Sequence, residues 1–210
     1  ISYLFPIFST LELMLDSTRL DIVIVATPTE YHFDQCKAAL EHGCHVLCEK
    51  PFVDNLRQAK ILSDLADERN LRIAVNNEFR FMKIHQAAKS WIGKEGFGAL
   101  LFADMQQTFR TTAETERGWR GEDSRRTCKE FGTHVFDLAR FYFETDPISI
   151  LARMPRPRSD GGPDYLNLID LRFPDDRYAR ITLDRLSRGK HRYLDIRLDG
   201  EHACIETSLG

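Results

Sequence analysis

No stretch of this sequence stays apolar for the ~20 residues a membrane-spanning helix needs, so no such helix is expected. The opening ISYLFPIF lacks the basic flank and small-residue cleavage site of a signal peptide. Neither sign of charge is in excess. The 29 Lys and Arg face 32 Asp and Glu, giving a net charge of −3. Nothing therefore points to a nucleic-acid or membrane-surface partner. Cysteine is sparse and odd in number, five residues without a disulfide-framework spacing. Free thiols in a reducing compartment, and hence the cytoplasm, are the expectation. There is no internal repeat. What remains is an ordinary globular composition, long enough for one large domain or two small ones.

The most informative stretch is Asp21 to Pro51, DIVIVATPTEYHFDQCKAALEHGCHVLCEKP. Ile22 to Ala26 is a β-branched apolar run, which reads as a strand buried on both faces. His32 to Glu41 has helical spacing, with Cys36, Ala39 and Leu40 on one side and Gly43 as a stop. His45 to Cys48 is a second short strand. Together they form one right-handed βαβ unit. Thr27-Pro28 follows the first strand and Glu49-Lys50-Pro51 the second, so the carboxyl edge of the sheet receives all four polar positions. Proline after Lys50 keeps that residue out of helical geometry and aims its ammonium outward.

These residues resemble the Gfo/Idh/MocA family of NAD(P)-dependent oxidoreductases, named after glucose–fructose oxidoreductase and inositol dehydrogenase. The likeness lies in A-T-P-x-x-x-H, a helix, and then G-x-H-V-x-x-E-K-P. Asn76 to Phe81 (NNEFRF) resembles the end of the family's nucleotide domain, and Gly132-Thr133-His134 with Asp137 its catalytic helix. Family proteins are normally longer at both ends. Nothing in residues 1–20 can be the G-x-G-x-x-G turn that opens a dinucleotide fold, so the chain is expected to begin past it. Without that turn the chain alone should hold NAD(H) or NADP(H) only at about millimolar strength.

The resemblance implies α/β architecture: a partial Rossmann nucleotide-binding domain over residues 1–80, then an α+β domain over 81–210 with a large, mostly antiparallel sheet. Taken in order, Tyr3 to Phe8 could be a strand. Ser9 and Glu12 form a capping box for a short helix. Asp54 caps a helix through Asn70 whose buried stripe is Leu56, Ala59, Leu62, Leu65 and Ala66. Leu71 to Val75 is a strand and Lys83 to Lys94 a helix. Strands follow at Leu100–Phe109, Ile148–Met154, Tyr165–Phe173, Tyr178–Leu186, Tyr193–Leu198 and His202–Thr207, interrupted by a helix over Lys129–Glu144. Asp199-Gly200 reads as a two-residue hairpin turn. Residues 154–164, MPRPRSDGGPD, read as a loop.

The resemblance implies that Lys50 steadies a substrate oxygen and that His134 is the general acid/base, a role its ordinary pKa of ~6.5 suits. Glu130 stands four residues before His134, where the family usually has Asp, and would orient it. Thr27, Pro28, His32, Glu49, Lys50, Asn77 and Arg80 are the cofactor-binding candidates. Arg80 has an alternative reading as a salt bridge. Arg125 and Arg126 replace a glycine pair; they either bind an anionic substrate group or line a solvated loop. His42, Cys44, His45 and Cys48 do not read as a metal site, because adjacent Cys44 and His45 diverge at a strand start. The implied reaction moves a hydride between NAD or NADP and a sugar, sugar derivative or cyclitol. The alternative is a non-catalytic sensor on the same fold. A homo-oligomer through the C-terminal sheet is expected by analogy.

Overall fold

The computed structural model describes residues 5–110, 124–157, 164–189 and 193–210. It divides into two compact units, Ile1–Asn77 and Glu78–Gly210. In the first unit a parallel three-stranded sheet has the order β1 (Ile22–Val25), β2 (His45–Cys48), β3 (Ile73–Val75). Val23 pairs with Val46, and Val46 with Ile73. Helix α1 (Leu11–Ser17) precedes the sheet, α2 (His32–Glu41) links β1 to β2, and α3 (Leu56–Glu68) links β2 to β3.

The apolar spacing explains this packing. Cys36, Ala39 and Leu40 of α2 and Leu62 and Ala66 of α3 are buried with Val23, Val25, Val46 and Cys48. Leu40 and Leu62 are fully covered, each worth ~2 kcal/mol of transfer free energy. Gly43 stops α2 with φ +82°, a left-handed conformation that favours glycine.

Several sequence expectations shift here. Strand β1 is covered on one face only: Ile22 and Ile24 are 59% and 68% exposed, because the covering residues all lie on the Val23–Val25 side. Thr10, not Ser9, caps α1 by accepting from Leu13 N at 3.2 Å. Asn55, not Asp54, caps α3 through Gln58 N at 3.0 Å, leaving Leu56 exposed in the first turn. Residues 5–8 form no strand, and Tyr3 lies outside the described residues.

The second unit is a six-stranded sheet in the order β5-β6-β7-β4-β8-β9. The strands are β4 (Leu100–Thr108), β5 (Ser149–Arg153), β6 (Leu166–Arg172), β7 (Tyr178–Asp184), β8 (Leu194–Gly200) and β9 (Cys204–Leu209). All pairings are antiparallel except β4 with β7. Alternation decides which face is covered. Ala103 and Met105 of β4, Ile169 of β6, Ile181 and Leu183 of β7 and Ile196 of β8 point into one core. Helix α5 (Thr133–Phe143) contributes Val135, Leu138, Ala139 and Tyr142 to that same core, while α4 (Lys83–Lys89) contributes Ala88. Leu101, Ile150 and Tyr178 remain exposed.

The helix expected over 129–144 begins earlier and differently: Thr127–Gly132 is a π-helical turn that runs into α5. The last hairpin turns on Glu201-His202, with Gly200 N donating to Ala203 O at 2.8 Å, two residues later than Asp199-Gly200. Gly200 instead permits close approach, since a Cβ there would lie 2.5 Å from Phe97 O. Part of the 154–164 loop, residues 158–163, lies outside the described residues.

Candidate active site

In the first unit the candidate residues gather at the carboxyl edge of the sheet. Glu49 N donates to Val25 O at 2.8 Å and Asn76 N to Cys48 O at 2.7 Å, so the chain leaves all three strands at one level. Thr27 and Pro28 are exposed there, while Glu49, Lys50 and Asn77 are half-buried. Asn76 Nδ2 donates to Glu49 Oε1 at 2.6 Å, and Lys50 N to Glu49 Oε2 at 3.3 Å. The Glu49 carboxylate is therefore fixed from two sides. Asn76 was absent from the sequence candidates, although it opens the NNEFRF stretch.

His32, at the start of α2, is held inside the first unit. It is 1% exposed, and both ring nitrogens face backbone carbonyls. Nε2 lies 2.8 Å from Thr27 O; Nδ1 lies 2.9 Å from Pro51 O and 3.0 Å from Phe52 O. No ring nitrogen is left for a ligand. Below it, Cys36 and Cys48 are both fully buried. A hydrogen bond from Cys48 draws the Cys36 thiol pKa down, while donating that bond and burial push Cys48 up.

In the second unit His134 is 3% exposed at the start of α5. Its imidazole stacks on Phe79 with centroids 4.1 Å apart and planes 10° from parallel. Glu78 Oε1 lies 4.0 Å from His134 Nε2. Glu78 and Phe79, from the turn Glu78–Phe81, thus meet the ring at its edge and its face. Sequence reading placed only Arg80 of that turn near the site. Tyr193 meets Phe79 edge-on at 5.9 Å. Its phenol pKa is raised first by burial, an effect that a Gln107 hydrogen bond opposes and the Glu78 charge reinforces.

Glu130, four residues before His134, accepts from Arg126 Nε at 2.8 Å. Arg126 is 4% exposed and sits 6.0 Å above the Phe131 ring. Arg126 is thus a buried cation, while Arg125 is exposed. Arg80 makes a bidentate pair with Asp137, and its guanidinium lies 5.5 Å over Phe141. The salt-bridge alternative describes it.

The π turn has further anchors that no local signal announces. Asp164, 1% exposed, accepts from Thr127 N at 2.9 Å and Cys128 N at 3.0 Å, an anion on an open helical N-terminus. Arg185, also 1% exposed, donates to Thr127 Oγ1 at 3.3 Å. Its guanidinium is ringed by Phe109, Tyr165 and Phe131 at 5.5–5.8 Å. Gly132 packs so closely that a Cβ would meet Phe136 at 2.9 Å and Leu183 at 3.1 Å. The segment leading to His134 is thus clamped by a buried acid, a buried base and a close glycine contact.

All five cysteines are free thiols, and no helix among the described residues is long and apolar enough to cross a membrane. A family profile described as oxidoreductase family, NAD-binding Rossmann fold, matches residues 2–77. A second, described as GFO/IDH/MocA C-terminal domain, matches residues 85–206. Levoglucosan dehydrogenase of Pseudarthrobacter phenanthrenivorans is 23% identical over 91% of this chain and 56% of its own length. Glucose-6-phosphate 3-dehydrogenase of Bacillus subtilis is 28% identical over 70% of this chain and 43% of its own. The chain thus spans about half the length of these curated relatives. An oxidoreductase from Agrobacterium radiobacter, solved in complex with NAD+, L-tartaric acid and magnesium, superposes with a TM-score of 0.87. It is 20% identical, with 95% of this chain and 59% of that one covered, a likeness of fold. The two profiles between them take in both compact units, and the chain belongs to the Gfo/Idh/MocA family of oxidoreductases.

Proposed function

We propose that this chain carries the cofactor-binding and proton-handling residues of an oxidoreductase. The enzyme interconverts a CH–OH group and a carbonyl on a sugar, sugar derivative or cyclitol. The observation that carries the reading is the gathering of Thr27, Glu49, Lys50 and Asn76 at the carboxyl edge of the parallel sheet, where open α/β sheets bind ligands. That edge fits a nicotinamide nucleotide: an exposed Thr27-Pro28 turn, a carboxylate fixed by an amide, and a cationic side chain. NAD or NADP bound there supplies the hydride acceptor or donor.

The protein's share is position and charge. Lys50 lends positive charge to the substrate oxygen as its proton leaves. His134 is the proton acceptor in oxidation and the donor in reduction. Its plane is fixed by Phe79, and Glu78 Oε1 lies 4.0 Å from its Nε2. Glu130 acts one step removed, with Arg126, in shaping the π turn. Thr27, Pro28, Glu49 and Asn77 are proposed cofactor contacts, and Arg125 a contact for an anionic substituent. Lys50 and His134 together favour catalysis over ligand sensing.

Lys50→Ala and His134→Ala in the full-length protein test this. The substrate is found by following nicotinamide absorbance across a panel of sugars and cyclitols. Each variant should lower kcat by at least ~10²-fold. Near-normal turnover in both removes the catalytic assignment.

A further inference from the structure

The first N–H groups of a helical turn have no partner within it. In the π turn Thr127–Gly132 the preceding residue, Arg126, makes no side-chain cap bond. Asp164 meets that need from 37 and 36 residues away. One of its side-chain oxygens accepts from Thr127 N at 2.9 Å and the other from Cys128 N at 3.0 Å. The residue is 1% exposed, so water cannot stand in for either oxygen. Asp164 is itself held through its backbone. Its N–H donates to Ser124 O at 3.1 Å, and its carbonyl accepts from Asn167 Nδ2 at 3.2 Å. Its neighbour Tyr165 accepts from Arg185 N at 2.8 Å, just beyond the end of β7, and the Arg185 guanidinium returns to Thr127 Oγ1 at 3.3 Å. Thr127 is thus gripped at its amide and at its hydroxyl from one edge of the sheet.

We propose that Asp164 is a positioning residue for His134. The π turn runs without a break into α5, and His134 is the second residue of α5. Where Thr127 and Cys128 sit therefore sets the height and rotation at which α5 starts. The His134 ring lies 4.1 Å from Phe79 with 10° between planes, a fit that a small rotation of the helix start would spoil. Two acceptors on one short, buried side chain fix both place and angle, because two N–H groups must be met at once. Asparagine offers one acceptor and turns an NH2 against the second amide; alanine offers none. All of these contacts lie in the second unit, whereas the proposed cofactor contacts Thr27, Pro28, Glu49 and Asn77 lie in the first. The role is therefore separable from cofactor binding. The kinetic half of this proposal rests on the reading of His134 given above; the seating of the turn does not.

Asp164→Asn and Asp164→Ala in the full-length protein test this, assayed on a neutral substrate below the unfolding temperature of each variant. Each should lower kcat per folded molecule at least ~10-fold, with substrate and cofactor KM within about threefold. A variant that only lost stability would keep its kcat per folded molecule. Unchanged kcat in either folded variant, or a loss confined to KM, overturns the proposal. Ring NMR of histidine-labelled chain gives a readout that needs no turnover, with His134 and His85 assigned by the signals lost in His134→Ala and His85→Gln. Asp164→Asn should move the His134 signals and leave in place those of His85, fully buried in the same unit. Unmoved His134 signals, or equal movement of both, overturn it. His134→Ala is the kinetic control: full turnover in that variant removes the His134 assignment and the kinetic half with it, while selective movement of the His134 signals still upholds the seating of the turn.

Discussion

His85 allows a prediction whose size follows from the structure. The ring is fully buried in the second unit, with Nδ1 2.8 Å from the Tyr142 hydroxyl and Phe79 stacked at 6.3 Å. Burial disfavours its charged form and lowers its pKa from 6.5 to about 4. The unfolded chain therefore binds this proton more readily than the folded one between those two values. Stability rises with pH wherever the unfolded state holds more protons, so this contribution is complete above pH 6.5 and is lost as pH falls through 4. The loss is about 2 kcal/mol by pH 5 and about 3 kcal/mol by pH 4. Urea unfolding of the parent chain and of His85→Gln at pH 7 and pH 5 isolates it. The variant is less stable at pH 7, but its decline toward pH 5 should be shallower than the parent's by about 2 kcal/mol. Parallel declines would mean that the buried ring is not held neutral, and the reasoning would fail.

Two further outcomes concern the π turn before His134. Gly132→Ala places a methyl 2.9 Å from the Phe136 ring and should cost ~1–3 kcal/mol, read as a lowered urea midpoint with unchanged slope; an unchanged midpoint would show that the turn is loosely packed. Arg126→Met takes the guanidinium from a Glu130 side chain that is 17% exposed, and should cost ~3 kcal/mol. Arg126→Met combined with Glu130→Gln should recover at least about half of that, because the remaining group is no longer ionic; simple additivity would deny the pair.

How much of this was legible depended on the range of the interaction. The βαβ unit could be read because its signals are local: apolar runs at Ile22 and His45, helical spacing from His32, and Gly43 as a stop. The one-sided burial of β1 could not, because an unbroken run such as IVIV looks the same on an outer strand. The two N-caps were each misplaced by one residue, a choice between neighbouring Ser9 and Thr10 or Asp54 and Asn55 that propensity does not resolve. His134 stood out through Gly132-Thr133-His134. Its surroundings did not, since Phe79 and Glu78 reach the ring from a turn more than 50 residues earlier in the chain. Asp164 and Arg185 reach the same turn from 36 or more residues away, and no pattern in the chain announces that meeting.

The central claim is that a nicotinamide nucleotide meets the first unit at the carboxyl ends of β1, β2 and β3. Titrating 15N-labelled chain with NADH up to ~10 mM, well beyond the millimolar strength expected, tests it most directly. Backbone shifts should change at Thr27, at Glu49 through Phe52, and at Asn76 and Asn77, with the rest of the chain little affected. Silence at those residues, or changes confined to residues 78–210, would contradict the account.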